Sequence, residues 1–152
     1  MVDPLDAIMH VMGKAFDPAY GEAWNRNQVS DALLLANTRC VIVGVDDFAP
    51  LDLAEEAAGF ALLRQAADEE ELLLLAVCPE HRRKGRGRRL LTLAIDQAKA
   101  RGSAHLFLEM RDGNPAEHLY RAFGFEQIGR RPGYYRGGAE GPIDAVTFAK
   151  LL

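Results

Sequence analysis

Leu72-Leu73-Leu74-Leu75-Ala76-Val77, then Cys78-Pro79-Glu80-His81, then Arg82-Arg83-Lys84-Gly85-Arg86-Gly87-Arg88-Arg89, then Leu90-Leu91: the chain passes from unbroken apolar sequence through a cationic turn into apolar sequence again. The nearly continuous Leu and Val run from Glu71 to Val77 reads as a buried strand. Cys78-Pro79 ends it, because proline has no N–H to give to a ladder. From Gly87 to Arg101 the residues Leu90, Leu91, Ala94, Ile95 and Ala98 recur at helical spacing, and Gly102 supplies the C-terminal stop. Between these two elements, from His81 to Arg89, nine residues carry six cations and no acid.

Upstream, Asp3 to Phe16 reads as a helix with Asp3 as N-cap, Pro4 at the first helical position and Leu5, Ile8, Met9, Met12 and Phe16 on one side. A connector with Tyr20, Gly21 and Trp24 leads to a short helix expected over Gln28 to Ala36. Arg39 to Val45 and Ala57 to Gln65 carry strand signals, joined by a loop from Asp46 to Glu56. Downstream, Ala104 to Met110 is a strand. Asn114-Pro115-Ala116-Glu117 has the cap, proline and N3 glutamate of a helix start, Gly124 ends that helix, and Glu117 can pair with Arg121 one turn on. Phe125 to Arg131 and Ile143 to Leu151 are the last strands, separated by a glycine-rich loop with Tyr134, Tyr135, Gly137 and Gly138. This order predicts an α/β (α+β) domain, a central mixed twisted sheet with helices on both faces.

The 152 residues suffice for one domain over 1–152 with a substantial core, since chains of this length bury about 70% of their unfolded surface. Forty-nine per cent hydrophobic and 26% charged residues argue against a disordered or fibrous chain. No apolar run approaches the roughly 20 residues of a membrane span, and the N-terminus lacks signal-peptide order, so a cytoplasmic protein with no membrane partner is expected. Cys40 and Cys78 are expected as reduced thiols. Four scattered histidines and a lone Cys78-x-x-His81 pair give no metal site. The net charge of −4 gives no reason to expect direct nucleic-acid binding. Nine acids between Asp46 and Glu71, against the single base Arg64, read as solvated loops and strand ends.

The cationic turn sits where backbone N–H groups and the positive end of a helix dipole converge, which attracts anions. Gly85 and Gly87 let the backbone approach an oxyanion without a Cβ in the way. Arg88 and Arg89 oppose the dipole by about 0.3 to 1 kcal/mol each, a penalty that a bound polyphosphate reverses. The turn lacks the G-x-x-x-x-G-K-[ST] of ATPases, and Leu90 stands where the dinucleotide fingerprint has its third glycine.

Arg82-x-x-Gly85-x-Gly87 between strand and helix resembles motif A of the GNAT N-acetyltransferases. Leu108-Glu109-Met110-Arg111, Asn114, and Leu119-Tyr120-Arg121-Ala122-Phe123-Gly124-Phe125 resemble the L-E-V-R…N…L-Y-x-x-x-G-F run of the ribosomal-protein-alanine (RimI-like) branch. The resemblance covers Leu72 to Leu152. Upstream, Tyr20-Gly21-Glu22-Ala23-Trp24 stands where that branch has a Pro-Trp-Ser-like segment. The resemblance implies the GNAT fold, antiparallel early and parallel around the cofactor, and acetyl-CoA as cosubstrate. It implies Arg82, Arg83, Lys84, Gly85, Arg86, Gly87 and Arg88 at the pyrophosphate, and backbone groups of Leu75, Ala76 and Val77 along the pantetheine arm. Asn114 is implied as a further cofactor contact, although an N-cap role would account for it. The acceptor implied is a protein N-terminal amine, such as that of a ribosomal protein, met by a monomer or homodimer.

Direct acetyl transfer needs a proton acceptor for the amine and a proton donor for the thiolate. Glu109, in a strand of Leu106, Phe107, Leu108 and Met110, is expected to be partly desolvated with a raised pKa and to serve as base, directly or through water; pairing with Arg111 or Arg121 is its structural alternative. Tyr120 is expected to protonate the thiolate, with packing beside Phe123 as its alternative. Trp24, Tyr134 and Tyr135 would border the acceptor groove. Cys78 as an acetyl-carrying thiol, a small-molecule or lysine acceptor, a non-catalytic acyl-CoA-binding module, and RNA binding by the cationic turn are the competing readings.

Overall fold

The computed structural model describes every residue except 47–50, 137, 139 and 140. Gly137 of the expected glycine-rich loop, and Asp47 of the acidic stretch, therefore lie outside the described residues. Helix α1 (Pro4–Ala15) starts where Asp3 accepts a hydrogen bond from the Leu5 N–H at 2.9 Å. After a single 3-10 turn at Pro18–Tyr20 comes α2 (Arg26–Leu34). It begins two residues earlier than the periodicity indicates, because Asn25 and Gln28 form a reciprocal capping box at 2.9 and 2.8 Å. Strands β1 (Thr38–Gly44), β2 (Ala57–Ala66) and β3 (Glu69–Val77) follow, then α3 (Arg86–Ala100), β4 (His105–Arg111), α4 (Glu117–Ala122), β5 (Glu126–Tyr135) and β6 (Ile143–Leu151). None of the helices is long and apolar enough to cross a membrane.

Two further boundaries differ from expectation. Asn114 accepts from the Ala116 N–H at 2.9 Å, and the Glu117 and His118 N–H groups bond three residues back, so the chain winds through a tight turn before the α-helix begins at Glu117. The Glu117–Arg121 pair forms as expected, at 2.7 Å. Strand β5 runs on through Tyr134 and Tyr135 instead of ending at Arg131. Pro132 interrupts the ladder on this edge strand, Asp144 accepts from the Gly133 N–H at 2.9 Å, and pairing resumes at Tyr135 opposite Ile143.

Among the described residues six strands lie in the order β1-β2-β3-β4-β6-β5, and of these only β3 and β4 pair in parallel. This is the mixed sheet predicted. Its two faces have separate cores: Phe60 and Leu62 of β2 pack with Ile8, Val11 and Met12 of α1, while Ala61 and Leu63 pack with Leu90, Leu91 and Ala94 of α3. The strand alternation therefore serves both layers, which is why β2 reads as unbroken apolar sequence.

A bulge in β3 shapes everything that follows. Leu62 faces Leu74 and Leu63 faces Leu72, leaving Leu73 as the extra residue. Such an insertion bends a strand. Parallel pairing with β4 accordingly stops at Leu72 opposite Leu108, while β3 continues to Val77 and β4 to Arg111. At the closed end, Glu70 departs from the solvated role read for its acidic neighbours. It is buried, receives both Arg101 Nε and Nη2 at 2.6 and 2.7 Å, and accepts from Ser103 Oγ at 3.2 Å, tying the start of β3 to the end of α3.

Candidate active site

Two cavities occupy the opening between β3 and β4. The larger, about 950 Å³, lies between the turn before α3 and the start of α4; the smaller, about 250 Å³, lies beneath Trp24, Tyr134 and Tyr135. They meet at Phe16, Glu22, Leu75, Asn114 and Tyr120, which line both. With no β4 partner beyond Leu72, one edge of the Leu73–Val77 backbone faces this opening.

The larger cavity gathers Leu75, Ala76, Val77, Arg82, Arg83, Gly85, Arg86, Gly87, Arg88 and Asn114, nearly all the cofactor contacts expected from sequence. Lys84 departs from the set: it is exposed and lies outside the lining. The arginines divide by role. Arg82 donates from Nε to Val77 O at 3.1 Å and from Nη2 to Ala15 O at 2.8 Å, and Arg86 reaches Gly44 O and Val45 O, so these two side chains brace the turn against α1 and β1. Arg83 and Arg88 have no carboxylate partner among the described residues, and the Arg88 guanidinium lies 5.1 Å from the centre of the Phe123 ring. Arg83 holds a left-handed φ of 62°, which costs about 1–2 kcal/mol for a residue with a Cβ. Gly85 caps α3 at φ 78° with no side-chain acceptor, and no acid occupies the first turn. The free N–H groups and dipole of that turn are thus left for an anion.

In the smaller cavity, Glu109 does not pair with Arg111 or Arg121, the partners weighed from sequence. Its Oε1 forms an ion pair with Arg131 Nη2 from β5 at 3.1 Å, while its Oε2 is buried and accepts no hydrogen bond from the described residues. A buried, unmatched carboxylate oxygen is an acceptor available to a proton. Tyr120 is buried, packs edge-on to Phe125 with centroids 5.7 Å apart, and makes no hydrogen bond to the described residues through its hydroxyl. Burial first, then the charges of Glu22 and Tyr135, pushes that hydroxyl well above the usual tyrosine range, so it keeps its proton at neutral pH. Tyr135 is pushed up likewise, by burial and then by Glu22 and Glu109.

Glu22 escaped the sequence reading. Its Oε1 accepts from Arg111 Nε at 3.0 Å and its Oε2 from Asn114 Nδ2 at 3.2 Å, and the Arg111 guanidinium lies 3.7 Å from the centre of the Tyr20 ring. Gly21, at φ 65°, turns the chain between Tyr20 and Glu22. Gly138 seats against the same segment so closely that a Cβ there would overlap Ala19 O. The one local signal was an acid in an aromatic connector, and its partners lie about 90 residues away. Cys78 is fully buried, and burial pushes its thiol up, which removes the thiolate that a covalent route would need. No group of three or more His, Cys, Asp or Glu residues able to hold a metal ion occurs among the described residues.

Comparison with known proteins agrees with this geometry. The sequence pattern of the acetyltransferase (GNAT) family matches residues 5–125. The [ribosomal protein bS18]-alanine N-acetyltransferase of Haemophilus influenzae is 36% identical over 94 residues, 62% of this chain and 64% of that protein. The streptothricin acetyltransferase of Streptomyces lavendulae is 41% identical over 87 residues, 55% of this chain and 46% of that protein. The match thus spans less than two thirds of the length of these relatives. The crystal structure of the ribosomal-protein-S18-alanine N-acetyltransferase from Escherichia coli superposes with a TM-score of 0.81 at 28% identity, covering 99% of this chain and 90% of that one. With its sheet opened by a bulge, an arginine-lined cavity at a helix N-terminus and a family match over most of its length, the chain belongs to the acetyltransferase (GNAT) family.

Proposed function

We propose that this protein transfers the acetyl group of acetyl-CoA to a primary amine, the N-terminal α-amine of a protein beginning with alanine, of the ribosomal kind named for its relatives. The observation that carries the reading is the meeting of the two cavities at Tyr120, with Glu109 on the side of the smaller one. Acetyl-CoA supplies an activated thioester carbonyl and a thiol leaving group. The residues present fit it: Gly85 and Gly87 keep the turn open, Arg83 and Arg88 would meet the diphosphate, and the unpaired edge of Leu75, Ala76 and Val77 would meet the pantetheine amides. Asn114 would contact the same arm. In the smaller cavity, the Glu109 carboxylate takes a proton from the acceptor nitrogen, directly or through water, and the freed lone pair forms the new C–N bond. Tyr120 gives its hydroxyl proton to the sulfur as the C–S bond breaks, and the second proton lost by the nitrogen returns to the Tyr120 oxygen, so that Glu109 alone ends protonated. An α-amine, with a pKa near 8, yields its proton to a carboxylate more readily than a lysine near 10.4.

The test is coenzyme A release with three acceptors in parallel: an alanine-headed peptide, an N-terminally blocked peptide with one lysine, and a small cationic amine. The alanine-headed peptide is expected to turn over fastest. A faster small amine would favour the second reading, acetylation of a small molecule, which the similarity to streptothricin acetyltransferase and the carboxylates of the smaller cavity support. Absence of release with every acceptor would leave an acyl-CoA-binding module.

A further inference from the structure

Three ionic side chains with little solvent contact stand about the junction: Glu22, which lines both cavities, Glu109, which lines the smaller, and Arg111, which lines the larger, at 11, 23 and 12% side-chain exposure. Arg131, which pairs with Glu109, is 60% exposed, and the Arg64–Glu71 pair further along the smaller cavity is 45 and 37% exposed, so solvent screens both. Within the sheltered part, two carboxylates therefore face one guanidinium, and the site is short of one positive charge. The groups bordering Glu22 come from three elements: Arg111 and Glu109 from β4, Tyr120 from α4, and Tyr135 from β5. Neither tyrosine ionises at neutral pH, so neither supplies charge.

A carboxylate has about four acceptor positions on its two oxygens, and Arg111 and Asn114 use one on each oxygen of Glu22. The remaining positions belong to a group that lines both cavities at the point where an acceptor nitrogen must reach the thioester. We propose that Glu22 is a specificity-determining residue that docks the acceptor as an ammonium, before Glu109 takes its proton. The inference rests on the transfer reading above. It identifies the preferred acceptor as one that arrives charged, and it gives the departure at Tyr20 to Trp24 a purpose.

The test is binding, measured by calorimetry on protein saturated with coenzyme A, which has no acetyl group to transfer. The probes are an alanine-headed hexapeptide and the same peptide acetylated at its N-terminus. At pH 6.5, Glu22→Gln is expected to weaken the free-amine peptide about tenfold to a hundredfold, the range for a hydrogen bond to a charged group. The acetylated peptide should bind both proteins alike. At pH 9.5, where an α-amine is largely neutral, the ratio between the proteins should shrink toward one, and Glu22→Asp should recover part of the affinity at pH 6.5. Coenzyme A affinity separates docking from simple bracing of Asn114 and should change less than twofold. Equal losses for both peptides, a parallel loss of coenzyme A affinity, or no loss at pH 6.5 would each overturn the proposal. Turnover of the wild type reports separately on the reaction: Glu22-dependent amine binding without coenzyme A release would sustain the docking role and end the transfer reading.

Discussion

Tyr120→Phe removes one oxygen and leaves the ring. In the folded protein that ring packs edge-on to Phe125 with centroids 5.7 Å apart, an arrangement that phenylalanine reproduces. The hydroxyl makes no hydrogen bond to the described residues, so the substitution strands no partner, and stability should change by less than about 1 kcal/mol. Activity should respond very differently. A positioned general acid is worth about 10²–10⁴ in rate, or about 2.7–5.4 kcal/mol of barrier. Coenzyme A release from acetyl-CoA with an alanine-headed peptide, followed from pH 6 to 10, would show kcat lowered by that factor with the KM for acetyl-CoA nearly unchanged. Thermal unfolding of the same preparation would show an intact fold. A kcat within threefold of wild type would refute Tyr120 as the donor, and a large drop in melting temperature would refute the packing argument that makes the substitution clean.

Glu109→Gln should lower kcat by about 10²–10³ with little change in the affinity for coenzyme A; stopped assays beside a coenzyme A titration would read it. Glu70→Ala leaves Arg101, 18% exposed, without its carboxylate and should cost about 3–5 kcal/mol by denaturant titration, whereas a paired Glu70→Leu, Arg101→Met change should cost far less. Gly59→Ala places a Cβ 2.8 Å from Ala76 O and 3.0 Å from Leu90 Cδ1, so it should lose about 1–3 kcal/mol and weaken coenzyme A binding by displacing β3. Tyr120 and Tyr135 both titrate above the usual range when folded, and the unfolded chain releases its tyrosine protons first, near pH 10. Stability should therefore hold below pH 10 and fall above it, and Tyr120→Phe should make that fall shallower in thermal scans.

What could be read ahead of the structure was whatever the chain encodes over short distances. The amphipathic spacing of Leu90, Leu91, Ala94 and Ile95 gave α3, the cap and proline of Asp3-Pro4 gave α1, and the motif spacing put Glu109, Tyr120 and the cationic turn at one opening. The two helix starts that moved did so through local hydrogen bonds of Asn25 and Asn114, whose side chains can cap or turn the backbone with equal ease. The features not read were long-range. Nothing near Glu22 signals Arg111, and nothing near Arg82 or Arg86 signals that they brace carbonyls of α1 and β1. Likewise Glu70 looks like its solvated neighbours Glu69 and Glu71 until Arg101 arrives beside it. The bulge at Leu73 falls within a run of four leucines, where no pattern distinguishes the inserted residue.

That bulge also has a mechanical meaning. Among the described residues, four facing residue pairs, from Glu69 opposite His105 to Leu72 opposite Leu108, and the bond from the Ala104 N–H to Asp68 O at 2.6 Å join the two arms of the sheet through backbone, and the Glu70–Arg101 bond sits among them like a pin. From Leu72 to Val77 the part of β3 that has left β4, still paired to β2 along its other edge and moving with it, is a lever roughly 17 Å long at about 3.3 Å per residue. A rotation of one degree about the pin moves its tip by about 0.3 Å, so a few degrees resize the jaws by a whole hydrogen bond's tolerance. On the transfer reading, the fit of an acyl carrier at the mouth would therefore depend on residues at the opposite end of the strand, which never touch it.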